Sequence, residues 1–296
     1  MSTHPRARSQ PPQGAAQGLS SWAVKGGLRS ILGGVSATLA ATLSLAALAP
    51  AAAARPSPAA RGYDISYPQC GSSYPKGQTF GIVGVNGGLA NNANNCLGSE
   101  VKWAASSPGL TSPPQAPASM YINTADPGPG VSDWPHSGSD TYGTCRGKWS
   151  KPCAFLYGER RATHSYALLG RSRPNLASTA PWWLDIETVN SWATTSTRGY
   201  KALNIATIRG FIEGLINAGA PAPVGIYSSA TEWHAITGLN AHTTSSAFGS
   251  KPPAWIVGGG ALTTAEETCG SVAFTGVKPT LAQYTRGSFD GDLRCK

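Results

Sequence analysis

Short apolar runs alternating with stretches of helical spacing constrain this chain more than any other feature. Tyr63 to Ser66, Phe80 to Val85, Met120 to Thr124, Pro181 to Thr188, Val224 to Tyr227, Ala254 to Val257 and Leu281 to Tyr284 read as strands. Helices are predicted over Ser99 to Ala105, Ala154 to Leu169 and Ala230 to Ile236. The clearest helix carries Ile205, Ile208, Ile212, Leu215 and Ile216 at helical spacing, and it stops at Gly219 with Pro221 beyond. Strands separated by helices favour a parallel sheet. About seven or eight such units predict an α/β fold, a (β/α)8-type TIM barrel with irregularities, built as a single domain.

Composition supports a folded body. The charged fraction of 12% is about half the roughly 25% of an average soluble protein, but 9 Trp, 10 Tyr and 6 Phe exclude wholesale disorder. The first residues stand apart. Arg6, Arg8, Lys25 and Arg29 precede an apolar, small-residue run from Ile31 to Leu48, and Ala52-Ala53-Ala54 offers a cleavage site. That order predicts a cleaved signal peptide over 1–54, a short linker over 55–61 and the barrel domain over 62–296. Gly33, Gly34, Ser36, Thr38, Thr42 and Ser44 dilute the run, which disfavours a retained membrane anchor. The expected location is therefore extracellular or cell-wall associated, with a monomer as the expected state.

The net charge of +9 is partly carried by the leader, and the remaining basic residues are scattered. That argues against a nucleic-acid partner and permits weak attraction to an anionic wall. All six cysteines follow the leader, as suits disulfides in an exported chain. Pairing nearest neighbours gives Cys70–Cys96, Cys145–Cys153 and Cys269–Cys295, each closing a short loop. No C-x-x-C occurs, so a zinc site is disfavoured, and neither a metal nor a cofactor is predicted.

Chemistry concentrates in Trp182-Trp183-Leu184-Asp185-Ile186-Glu187-Thr188. In an extended strand Asp185 and Glu187 share one face while Leu184 and Ile186 share the other, with the acids' Cα atoms roughly 6.6 Å apart. Crowded carboxyls in a partly dry cleft push one another's pKa upward and keep one proton available for donation. The C-terminal end of a barrel strand is where catalytic groups stand. Asp64 ends the first strand and Asp290 and Asp292 follow the last, so these acids are expected to converge on the same mouth. The four histidines after the leader, His136, His164, His234 and His242, form no recognisable triad, which disfavours serine hydrolysis.

The ordered set Gly62-Tyr63-Asp64-Ile65-Ser66-x-x-Gln69, Phe80-Gly81-Ile82-Val83, Leu184-Asp185-Ile186-Glu187, Ile226-Tyr227-Ser228, Ala254-Trp255-Ile256 and Ala282-Gln283-Tyr284 resembles glycoside hydrolase family 25. Its members are muramidases of the bacterial and phage lysozyme kind, which break the β-1,4 bond between N-acetylmuramic acid and N-acetylglucosamine in peptidoglycan. The resemblance implies that Glu187 is the general acid. Asp185 is then its partner, orienting a substrate acetamido group or assisting a water. Asp64 and Asp290 correspond to flanking acids of the cleft, with Asp292 a rival for the last role. Tyr227, Trp255 and Tyr284 are implied to stack on or position sugars, and Gln283 and Asn123 to add polar contacts. The third strand departs from the family's Tyr-His-Phe-like triplet: Tyr121-Ile122-Asn123-Thr124-Ala125-Asp126-Pro127 stands there, followed by a Gly- and Pro-rich loop. The implied function is a secreted hydrolase of peptidoglycan glycan. A barrel that binds wall glycan without cleaving it, or a hydrolase of another polysaccharide, are the alternatives.

Overall fold

The computed structural model describes residues 61–296; the predicted signal peptide over 1–54 and residues 55–60 of the linker lie outside the described residues. The chain opens with β1 (Arg61–Ile65), β2 (Gly81–Gly84), α1 (Leu97–Ala105), a two-residue hairpin pair β3 (Leu110–Thr111) and β4 (Pro114–Gln115), and β5 (Ala118–Asn123). It continues through a second small hairpin, β6 (Gly138–Asp140) and β7 (Gly143–Cys145), then α2 (Lys151–Gly170), α3 (Pro174–Thr179), β8 (Trp182–Asp185) and α4 (Tyr200–Ala218). The remaining elements are β9 (Gly225–Ser228), α5 (Ala230–Thr237), α6 (Thr244–Phe248), β10 (Ala254–Val257), α7 (Leu262–Gly270), β11 (Leu281–Arg286) and β12 (Phe289–Arg294).

Eight strands close into a barrel in the order β1-β2-β5-β8-β9-β10-β11-β12. Seven run parallel, as the alternation of strand and helix predicts. The eighth departs from an all-parallel sheet, because β12 pairs antiparallel with both β11 and β1. The cause is local: only Gly287 and Ser288 separate β11 from β12, far too few for a parallel crossover, and Gly287 takes the left-handed φ of +70° that such a tight turn needs. Nor does an α-helix lie between β1 and β2, where a single 3-10 turn over Tyr67–Gln69 stands instead.

Side-chain alternation sorts the barrel into two cores. Leu184, Ile186, Ile226, Met120 and Ile122 point outward into a core shared with the helices. Phe80, Ile82, Trp183, Tyr227, Trp255 and Leu281 fill the inside. The indole of Trp183 fits because its neighbour across β9 is Gly225, whose missing Cβ would fall on that ring. A similar economy brings α2 against α4: a Cβ on Gly158, Gly210 or Gly214 would strike the backbone of the opposite helix. The predicted long loop before α2 carries its own small core, with Trp134 stacked on Tyr157 at 5.6 Å. Disulfides join Cys70–Cys96, Cys145–Cys153 and Cys269–Cys295, the nearest-neighbour pairing. Among the described residues no helix is long and apolar enough to cross a membrane.

Candidate active site

Inward-facing positions at the C-terminal ends of the parallel strands meet in a cleft of about 210 Å³ lined by Asp64, Tyr121, Asp185, Glu187, Tyr227, Trp255, Gln283 and Asp290. This is smaller than the roughly 300 Å³ of a pocket that encloses a drug-sized ligand. No lysine, arginine or histidine lines it. Four exposed apolar residues ring the same end of the barrel, each at or shortly after a strand terminus: Tyr67, Leu89, Val189 and Val257.

Asp185 is the last residue of β8 and only 5% exposed, whereas Glu187 stands two residues beyond it, half-buried at the rim. Burial pushes the Asp185 carboxyl well up, and the Glu187 charge beside it, then Asp64 and Glu232, push the same way. Glu187 is itself raised, first by burial and then by Glu232. Both shifts run in the direction that favours retention of a proton by the pair.

Across the mouth, Asp64 and Asp290 are register partners on the antiparallel β1–β12 pair. Burial, then the Asp290 charge, raises Asp64 to about 8, although Gln283 Nε2 donates to its Oδ2 at 3.0 Å. Gln283 Oε1 in turn accepts from the Tyr227 hydroxyl at 2.8 Å, so β9, β11 and β1 are linked by one chain of hydrogen bonds under the cleft. Burial also raises Asp290. Among the described residues no group of three or more His, Cys, Asp or Glu side chains is arranged to hold a metal ion.

The structure brings Glu187, Asp185, Asp64, Asp290, Tyr227, Trp255 and Gln283 together around this one space. Three other residues singled out in the sequence do not line it, although Asn123 pairs in register with Asp185. Asp292 is fully buried lower in the barrel, one inward position below Asp290, and neither of its oxygens has a hydrogen-bond partner. Asn123 is buried at the end of β5, where its side chain donates to Asn86 Oδ1 at 3.0 Å. Tyr284 is on the outer face of β11, against Ala265, Leu293 and Cys295, because alternation that turns Gln283 inward turns its neighbour outward.

Sequence reasoning missed Tyr121, which lines the cleft, and the groups that fix the Glu187 segment. Thr124 Oγ1 donates to the Asp185 carbonyl at 2.6 Å, Ser228 Oγ to the Ile186 carbonyl at 2.7 Å, and Trp192 Nε1 to the Glu187 carbonyl at 2.9 Å. Glu232 Oε1 accepts from Thr188 N at 3.1 Å. Alternation from Asn123 points to Tyr121. The Ser229-x-x-Glu232 spacing signals a helix start, and Ser229 does cap α5, but nothing local reveals the contact with Thr188.

No known family model and no curated protein matches the sequence. Among solved structures, the chain is similar to a muramidase from Trichobolus zukalii (14% identity, 79% of this chain and 92% of that one, TM-score 0.47). It is also similar to the bacterial lysozyme from Streptomyces coelicolor (17% identity, 80% and 92%, TM-score 0.48). A third likeness is to the modular autolysin LytC from Streptococcus pneumoniae, solved with a synthetic peptidoglycan ligand (12% identity, 79% and 46%, TM-score 0.46). Identities and scores this low say nothing about chemistry, which rests on the residues of the cleft.

Proposed function

We propose that this chain is an exported glycoside hydrolase that cleaves β-1,4 bonds of peptidoglycan glycan, with Glu187 as general acid and Asp185 as its partner. The observation that carries the reading is the carboxyl pair at the mouth of the barrel: one group half-exposed, one buried beneath it, both raised, with no cation lining the space. A carboxyl that keeps its proton near neutral pH can give it to a glycosidic oxygen as the bond to the sugar carbon breaks. The positive charge that develops on the sugar ring then faces the acidic wall formed by Asp185, Asp64 and Asp290. Water adds to that carbon, its surplus proton returns to a carboxylate, and the site is restored. Exposed apolar residues around the mouth suit an extended sugar chain, whose C–H faces they would cover.

The test is release of reducing ends from purified peptidoglycan by residues 55–296, compared with the Glu187→Gln variant. Wild-type release with muramic acid at the new ends is expected, and the variant should lose about a thousandfold or more of the rate. Equal rates in both proteins would remove Glu187 from the reaction. Release from a different polysaccharide alone would reassign the substrate. Glycan binding without release from any polysaccharide would make the barrel a wall-binding protein.

A further inference from the structure

Glu187 stands beyond the end of β8, so no strand ladder fixes it; its place depends on how the following segment is held. Four side chains do the holding. Thr124, Ser228 and Trp192 donate to the carbonyls of Asp185, Ile186 and Glu187, and all three are neutral. The fourth is Glu232, in the first turn of α5, the one charged member of the clamp. Its Oε1 accepts from the backbone N of Thr188 at 3.1 Å and from the Thr188 hydroxyl at 3.0 Å, while Oε2 accepts from the Ser229 hydroxyl at 3.0 Å. Three donors and the positive end of a helix suit a negative charge at this point.

We propose that Glu232 is a positioning residue for the acid: it anchors the residue next to Glu187 and sets a carboxyl group beside it from outside the cleft. This rests on the reading of Glu187 as the general acid. The groups facing Glu187 are Asp185 from β8, Glu232 from α5, Asp290 from β12, and, further across the cleft, Asp64 from β1 and Tyr227 from β9. None is cationic. Of the charged neighbours, Glu232 acts most strongly on Glu187 after burial itself. It does so from outside the cleft, without occupying space that a sugar would need. Proximity, backbone anchoring and charge therefore coincide in one side chain.

Two substitutions separate anchoring from charge. Glu232→Gln keeps an oxygen for Thr188 and removes the charge; Glu232→Ala removes both. Carboxyl-carbon NMR titration of residues 55–296, with the Glu187 signal assigned by its loss in Glu187→Gln, reads protonation directly and needs no activity. In Glu232→Gln the Glu187 midpoint should move down by about half a pH unit, and the alkaline limb of the pH–rate profile should move with it. At pH values below that limb this variant should retain kcat within about threefold, whereas Glu232→Ala should lose about tenfold. An unmoved Glu187 midpoint in a folded Glu232→Gln protein overturns the charge role. Equal kcat in the two variants overturns the anchoring role. If the wild type cleaves no glycan, the reading of Glu187 as an acid fails on the hydrolysis assay, while the NMR midpoint still decides whether Glu232 controls it.

Discussion

Asp292 is the most deeply placed of the barrel's acids, with both oxygens unpartnered and its pKa raised well up by burial, then by Asp64 and Asp290. An acid raised on folding stabilises the protein fully at pH below its unfolded pKa, and that contribution is lost as pH climbs through the folded value. Asp64 rises to about 8 and Asp185, Glu187, Asp290 and Asp292 shift in the same direction, so the window of loss runs from about pH 4 to about pH 8 or above. Asp292→Asn should therefore add about 1–2 kcal/mol at pH 8, raising the thermal midpoint by about 2–8 °C, and should lose that advantage at pH 4. Melts of variant and wild type at both pH values check this; an equal gain at both would mean that charge is not the cause. Residue by residue, the sequence exposed the Asp185–Glu187 pair because period-two spacing is a local property. The same rule separates Gln283 from Tyr284, which cannot both face inward from one strand. Depth is not local, so nothing in Asp290-Gly291-Asp292 says which acid reaches the mouth.

Elements were legible in proportion to their apolar content. The β10 range of Ala254–Val257 coincides with its sequence reading, and α4 follows its isoleucine spacing. β12 was not legible. Phe289-Asp290-Gly291-Asp292-Leu293-Arg294 contains two Asp and a Gly, residues depleted in strands. It is a strand because a tight turn folds it between β11 and β1, which both offer ladder partners. The contact between α2 and α4 likewise depends on what is missing from the sequence pattern rather than on what is apolar in it. A Cβ at Gly210 would collide with the Phe155 carbonyl oxygen, a backbone atom that cannot rotate away. Gly210→Ala should cost about 2 kcal/mol or more despite alanine's better helix propensity. Urea unfolding measures that balance directly, and a stabilised variant would show that the helices can part without penalty.

Across the whole molecule, closure is reinforced where the polypeptide is least regular. Cys269–Cys295 ties α7 to the residue after β12, across a separation of 26 residues. Replacing both cysteines with serine should lower stability by about 3 kcal/mol, read as a reduced urea midpoint in oxidised protein. A variant with wild-type stability would mean that the barrel seam needs no covalent support. Overall class was legible because strand–helix alternation runs through most of the chain, whereas the seam was not, because it joins the first described strand to the last. That seam pairs Asp64 with Asp290, so the acidic wall of the cleft joins strands far apart in sequence, β1 and β12. Its timing follows from its topology. During synthesis the chain holds Asp64, Asp185 and Glu187 but not the fourth acid of the cleft until β12 arrives, and any product truncated before Phe289 stays without Asp290. Hydrolytic capacity on the proposed reading therefore appears last, with completion of the fold, and not gradually as the polypeptide grows.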